Sequence, residues 1–276
     1  DQRRDDSYSQ CYDSETLTDR LDIIGAPVIQ LKIKSDAKSG QVIVRLNHIH
    51  PDGASTRITY GCLNLSHRNG YEKTSDIVPN EVMDIEVILD QIAYRVPEGH
   101  KIRVSISNCY WPLLWPTPDK DTLTLVQGKF DLPISSHGDL DERKFQPAVV
   151  GEPWKIKSLR EGGNQRNVKR DLKSGIVTIE IIDDFGKRMD QEHGLITGST
   201  AREWWSIHPD DPLSAHGRTH WTEEVERADW SVRTETYAEM WSDYETFYIK
   251  ASLMAFHNDD LVFEKEFNEE IQRLKH

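Results

Sequence analysis

Few residues in this chain have types and spacings that could do chemistry. His48-Ile49-His50 puts two imidazoles on one side of an extended segment, because side chains two apart in a strand share a face. It is the one metal-like spacing present. A third ligand would have to come from elsewhere, with Asp52 the nearest carboxylate, and spacing alone does not fix it. Solvent-facing or hydrogen-bonded histidines are the commoner fate of such a pair. His48 and His50 are therefore a weak candidate, and no bound metal or other cofactor is expected. His208, His216 and His220 scatter around proline and glycine in no common zinc pattern.

Trp111 and Trp115, each followed by proline, could stack on a sugar ring or pack against a neighbouring domain. Trp204, Trp205, Trp221, Trp230 and Trp241 read as core of a sheet-rich segment. The adjacent carboxylates Asp183-Asp184, Asp210-Asp211, Glu223-Glu224 and Asp259-Asp260 could suggest glycoside chemistry. That chemistry needs two carboxyl groups opposed at a set separation, which adjacency does not supply, so they read as solvated charges.

The element that organises the chain runs from Ala93 to Pro118. Pro97-Glu98-Gly99 gives a turn, after which Ile102, Val104 and Ile106 fall on one face and Arg103, Ser105 and Ser107 on the other. Proline lacks a ladder donor and restricts the residue before it, so Trp111-Pro112 and Trp115-Pro116 must cap this strand. Upstream, Leu31 and Ile33 alternate with lysines, and Lys38-Ser39-Gly40 signals a hairpin into a strand at Val42 to Asn47 that is mostly apolar on both faces. Pro51-Asp52-Gly53 is a second turn, followed by strands at Ile58 to Leu63 and Val82 to Leu89. Strands spaced by turn signals, with no long amphipathic helix before Leu132, are the pattern of a β-sandwich.

In the second half, residues 161–165 read as a loop or hairpin tip and Ser174-Gly175 as a turn. A strand from Ile176 is expected to close at Asp183-Asp184-Phe185-Gly186, and residues 209–215 to form an irregular link. The segment 231–256 satisfies both strand and helix periods in part, and Phe267, Ile271 and Leu274 suit a short terminal helix.

The chain has 276 residues, with 34 basic against 47 acidic side chains and a net charge of −13. Such a balance argues against nucleic acid, whose phosphates need a basic surface. No apolar run approaches the ~20 residues of a membrane helix, and the polar start lacks the apolar core of a signal peptide. Cys11, Cys62 and Cys109 are odd in number and widely spaced, which favours a reducing compartment, so a cytoplasmic location is expected. The polar start without an initiator Met suggests a chain cut from something longer.

Three separated segments together point to a family. Gly99 to Ser107, GHKIRVSIS, followed by WPLLWPTP, looks like the strand and exit loop of the C-terminal jelly-roll domain in the X-Pro dipeptidyl-peptidase and cocaine esterase family of serine hydrolases. Gly25-Ala26-Pro27 leading into VIQLKIKSD resembles that domain's first core strand, and Val42 to Leu65 is similar to its strand, Pro-Asp-Gly turn and strand. The same order across roughly Cys11 to Leu132 makes the set far more specific than any one match.

The resemblance implies an all-β fold, a jelly-roll β-sandwich of the galactose-binding-domain-like kind with a β-rich C-terminal extension. The expected organisation is a linker or arm over 1–10, the sandwich over 11–135, a connector over 136–150, and the extension over 151–276 packing on or beside the sandwich. The extension resembles family members that end in strands, which favours strands over 231–256. A nucleophile in this family sits in a G-x-S-x-G elbow, and no serine of this chain has glycines at that spacing. No catalytic residue is therefore expected. The implied function is non-catalytic: packing on an α/β-hydrolase domain of the same full-length protein, shaping its substrate cleft, and contributing homo-oligomer contacts. His100 matches a family position where it looks like part of a turn and a buried hydrogen-bond network. The alternative is a carbohydrate-binding module using Trp111 and Trp115.

Overall fold

The computed structural model describes residues 1–135 and 145–273. It divides into two compact units, one within Asp1–Lys144 and one within Phe145–Leu274. Of the expected connector over 136–150, residues 136–144 lie outside the described residues, and 145–150 are exposed and irregular.

In the first unit a one-turn helix, α1 (Arg3–Asp6), precedes β1 (Gln10–Asp13), β2 (Leu21–Gly25), β3 (Val28–Ser35), β4 (Gln41–Ile49) and β5 (Ser55–Asn64). It continues with β6 (Met83–Ile88), β7 (Ile92–Val96), β8 (Lys101–Ser107) and β9 (Leu123–Asp131). An antiparallel sheet in the order β1-β8-β4-β5 faces a second in the order β6-β3-β9, and β2 pairs with β7. This is the β-sandwich that the alternating pattern implied, of the jelly-roll kind that the resemblance implied.

The core lies where the alternation placed it. Ile29, Leu31 and Ile33 of β3 and Met83, Ile85 and Val87 of β6 meet Val42, Val44 and Leu46 of β4 and Ile102 of β8. Burying each such side chain contributes about 1.5–3 kcal/mol before the entropy of ordering it is subtracted. Gly61 of β5 lets the layers approach closely, since a Cβ there would lie 2.7 Å from the Ile88 carbonyl oxygen.

Two local expectations are corrected in this unit. Residues 1–10 do not form a free linker or arm. Asp6 is buried and accepts hydrogen bonds from Asn47 Nδ2 (2.8 Å), Ser55 Oγ (2.8 Å) and Ser105 Oγ (2.9 Å), so the segment covers the outer face of β4 and β8. A polar sequence looked free because its partners lie more than forty residues away. Lys38-Ser39-Gly40 makes no hairpin either. It carries the chain from one sheet to the other, because turn residues specify a reversal and not the strand that pairs after it.

The second unit contains β10 (Ile156–Arg160), β11 (Gly163–Arg170), β12 (Val177–Asp190), β13 (Ile196–His208), β14 (Asp211–Arg227), β15 (Trp230–Ser242), β16 (Thr246–His257) and β17 (Asp260–Gln272). They form one antiparallel sheet, a meander from β12 to β17, with β10 and β11 lying end to end along β12. Residues 161–165 are thus no hairpin tip. Gly162 and Gly186 pass so closely that a Cβ on Gly162 would meet the Asp184 carbonyl at 2.7 Å.

β12 runs through residues 183–186 with a register shift rather than closing there, and 211–215 belong to β14. The expected terminal helix is strand β17 as far as Gln272, and Leu274 lies outside the described residues. Pairing with β16 from Thr246–Gln272 to His257–Asp260 outweighs the local helical spacing. Among the described residues no helix is long and apolar enough to cross a membrane.

Candidate functional site

The core face of the four-stranded sheet ends in a group of histidines. Side chains along β4 point to alternate faces, so His48 continues the row of Val42, Val44 and Leu46, and His50 follows one step beyond the strand. β8 runs antiparallel beside it with His48 opposite Ile102, a register that brings His100, the residue before β8, alongside His50. Backbone hydrogen bonds fix both ends. His50 donates its N–H to Ala54 O and accepts from Gly53 N–H across the Pro51-Asp52-Gly53 turn, each at 2.9 Å, and His100 O accepts from Leu17 N–H at 2.9 Å.

The three rings form one cluster. His48 Nε2 lies 2.6 Å from His100 Nδ1, and His48 Nδ1 lies 2.9 Å from the Tyr94 hydroxyl of β7. His50 stacks on His48 with centroids 4.1 Å apart, and its Nε2 lies 3.1 Å from Thr56 Oγ1. Each imidazole offers a nitrogen within 4.8 Å of the others'. Burial, then the neighbouring His50 and His100 rings, push the His48 pKa down to about 4, so its imidazole is neutral at physiological pH. His48 is buried, whereas His50 and His100 are half-buried and reach toward solvent.

The sequence-level third ligand, Asp52, is not part of the cluster. Its Oδ1 accepts the Ala54 N–H at 3.0 Å and holds the turn. His100 takes that place, and the signal that could have found it is its step before a strand pairing with the one that bears His48. The hydrogen-bond role that the resemblance implied for His100 is the one the structure gives it.

Trp111 and Trp115 lie in the loop after β8 and touch each other edge to face, with centroids 5.2 Å apart and planes at 80°. Two rings at right angles do not make the flat platform that stacks a sugar. Both are half-buried, while Leu113 between them is 51% exposed. On the outer face of the sheet, Tyr110 of the same loop receives the Arg57 guanidinium at its hydroxyl, and the Arg45 guanidinium lies 5.6 Å from its ring centroid.

The tryptophans of the second unit are not core. Trp204 and Trp205 donate to Glu180 and Glu203, Trp241 stacks on Tyr248, and Trp221 and Trp230 are 38% and 43% exposed. A single sheet layer has no second layer within its unit to bury them. His216 and His220 face Glu239 and Glu235 at 3.5 and 3.6 Å, and His208 Nδ1 accepts the Asp210 N–H. Asp183 and Asp184 are ion-paired to Arg166 and Arg160, as structural charges are.

A family model described as the X-Pro dipeptidyl-peptidase C-terminal non-catalytic domain matches residues 1–166. Cocaine esterase of Rhodococcus sp. (strain MB1 Bresler) is 26% identical over 102 residues, which are 37% of this chain and 18% of that protein. Among solved structures, an aminopeptidase from a marine sediment Thaumarchaeota archaeon matches 49% of this chain and 27% of its own, at 18% identity and a TM-score of 0.47. An α-amino acid ester hydrolase matches the same shares at 19% identity and a TM-score of 0.46. The chain thus spans about a fifth to a quarter of the length of these relatives. Neither the family model nor cocaine esterase lends support to the carbohydrate-binding alternative.

Proposed function

The chain belongs to the family of X-Pro dipeptidyl-peptidase C-terminal non-catalytic domains, and from that membership we propose that it packs on the α/β-hydrolase domain of a longer serine hydrolase and walls part of its substrate cleft. The observation that carries this reading is the family match over residues 1–166, in a chain whose sequence contains no G-x-S-x-G elbow. The reaction it serves is Ser-His-Asp acyl transfer on an ester, or on an amide after proline, with nucleophile, base and acid supplied by the hydrolase domain.

The contact surface we propose is the loop after β8. Trp111 and Trp115 brace one another there, and exposed Leu113 projects between them. Well-packed aromatics beside an apolar tip are the composition that anchors a domain interface. Homo-oligomer contacts of the assembled enzyme would use other parts of the surface. The three free cysteines support a reducing compartment, the cytoplasm, as the site of action.

The test is association in trans. Co-expressed with the α/β-hydrolase domain of its full-length protein, the chain is expected to co-purify as one complex, and Leu113→Asp to weaken that complex without lowering the chain's own melting temperature. Two folded, soluble partners that run separately at all concentrations would overturn the proposal.

A further inference from the structure

The histidine cluster is larger than a hydrogen-bonded core needs. A buried imidazole has one donor and one acceptor to satisfy, and His48 satisfies both with Tyr94 and His100. His50 adds a third ring whose Nε2 partner is a hydroxyl on the hairpin's other strand, which leaves its second nitrogen for another task. All three side chains come from the end of one sheet face, where the backbone is pinned by the Pro51-Asp52-Gly53 turn on one side and by Leu17 on the other. Such pinning is what a preorganised ligand set requires.

We propose that His48, His50 and His100 form a binding site for a borderline divalent transition cation of the Zn²⁺ class, with the fourth position open to solvent or to an anionic ligand. Imidazole nitrogens suit Zn²⁺, Cu²⁺ and Ni²⁺ and disfavour Mg²⁺ and Ca²⁺, which take oxygen ligands. The cation replaces the proton shared between His48 Nε2 and His100 Nδ1. Their 2.6 Å separation then opens to about 3.3 Å, the chord of two Zn–N bonds of about 2.0–2.1 Å at the tetrahedral angle. That movement is available because His100 stands before its strand and is half-buried, whereas His48 is held by the core.

Tyr94 completes the arrangement from outside the ligand set. Its hydroxyl lies 2.9 Å from His48 Nδ1, the position from which an outer partner fixes which ring nitrogen faces the cation. The partly exposed His50 and His100 leave an entry path, and the buried His48 below them gives the site a floor.

The test uses the full chain without an affinity tag, stripped by a chelator and titrated with Zn²⁺ by calorimetry, with Co²⁺ as the spectroscopic probe. One equivalent of Zn²⁺ is expected to bind and to raise the melting temperature, since a ligand of the native state stabilises it. Bound Co²⁺ is expected to show the intense visible bands of a tetrahedral site. His50→Ala, which removes a half-buried ring and leaves the His48 contacts with Tyr94 and His100 in place, is expected to retain the metal-free melting temperature and lose at least about tenfold in affinity, and Tyr94→Phe to lose about tenfold. His193→Ala, far from the cluster in sequence and exposed, is expected to bind as the parent does. No saturable one-to-one binding, or binding unchanged in both His50→Ala and His100→Ala, would overturn the proposal.

Discussion

Asp6 and Asn47 are joined by a hydrogen bond of 2.8 Å from the Asn47 amide to the Asp6 carboxylate, linking the first helical turn to the C-terminal half of β4. Arg45 and Arg103 pair with the same carboxylate at 3.3 and 3.2 Å, and Ser55 and Ser105 donate to it. The outer face of the sheet is thereby closed by a polar network around one buried anion.

Removing that anion leaves the Arg45 guanidinium, only 1% exposed, without its charge partner. Asp6→Ala is expected to destabilise the chain by about 3–5 kcal/mol, the cost of breaking one side of a buried ion pair. Asp6→Asn, which keeps some hydrogen bonds, should cost less. Urea denaturation followed by tryptophan fluorescence measures both, and a change under 1 kcal/mol for the alanine variant, on the scale of about one exposed pair, would show that the network carries little.

Close approach of the two layers rests on Gly61. A methyl there would lie 2.7 Å from the Ile88 carbonyl and 3.1 Å from Val87 Cγ1, and a backbone carbonyl cannot swing aside as a side chain can. Gly61→Ala is expected to lower stability by about 1–3 kcal/mol through overpacking. Gly53→Ala meets no atom within 4 Å, and its cost comes only from the positive φ of 85° in the hairpin turn.

Much of this fold was legible because its core strands alternate. Leu31, Ile33, Val42, Val44, Leu46 and Ile102 announce their faces two residues at a time, and Pro51-Asp52-Gly53 announces its turn. What stayed hidden depends on partners distant in sequence. Asp6 reads as a solvated acid until β4, β5 and β8 surround it, and the tail from Glu264 suits a helix until β16 claims its backbone. The histidine pair was visible as a two-residue spacing, whereas His100 joins it only through the pairing of β4 with β8.

A pH dependence follows from Asp121. Burial pushes its pKa up to about 6, against hydrogen bonds from Asn108 and Thr117 that pull it down, and its Oδ2 is buried with no hydrogen-bond partner. With the folded value above the ordinary 3.8, the native state takes up the proton more readily than the unfolded chain. Its stabilising effect is therefore fully present in acid and lost as pH rises through about 6. Asp121→Asn is expected to gain about 1–2 kcal/mol over the parent near neutral pH, after allowance for solvent screening at a half-buried carboxyl, and to lose that advantage as pH falls below 6. A parent-to-variant difference that stays constant across this range would contradict the assignment.

The central claim is that this chain is a scaffold whose chemistry belongs to another domain, and hydrolysis by the isolated chain tests it most directly. Purified chain at high concentration, with a chelator present, is incubated with p-nitrophenyl acetate and with an Xaa-Pro p-nitroanilide. Release of p-nitrophenol and p-nitroaniline is expected at the buffer rate. Saturable turnover that follows the chain through repurification and is abolished by a serine-directed inhibitor would contradict it.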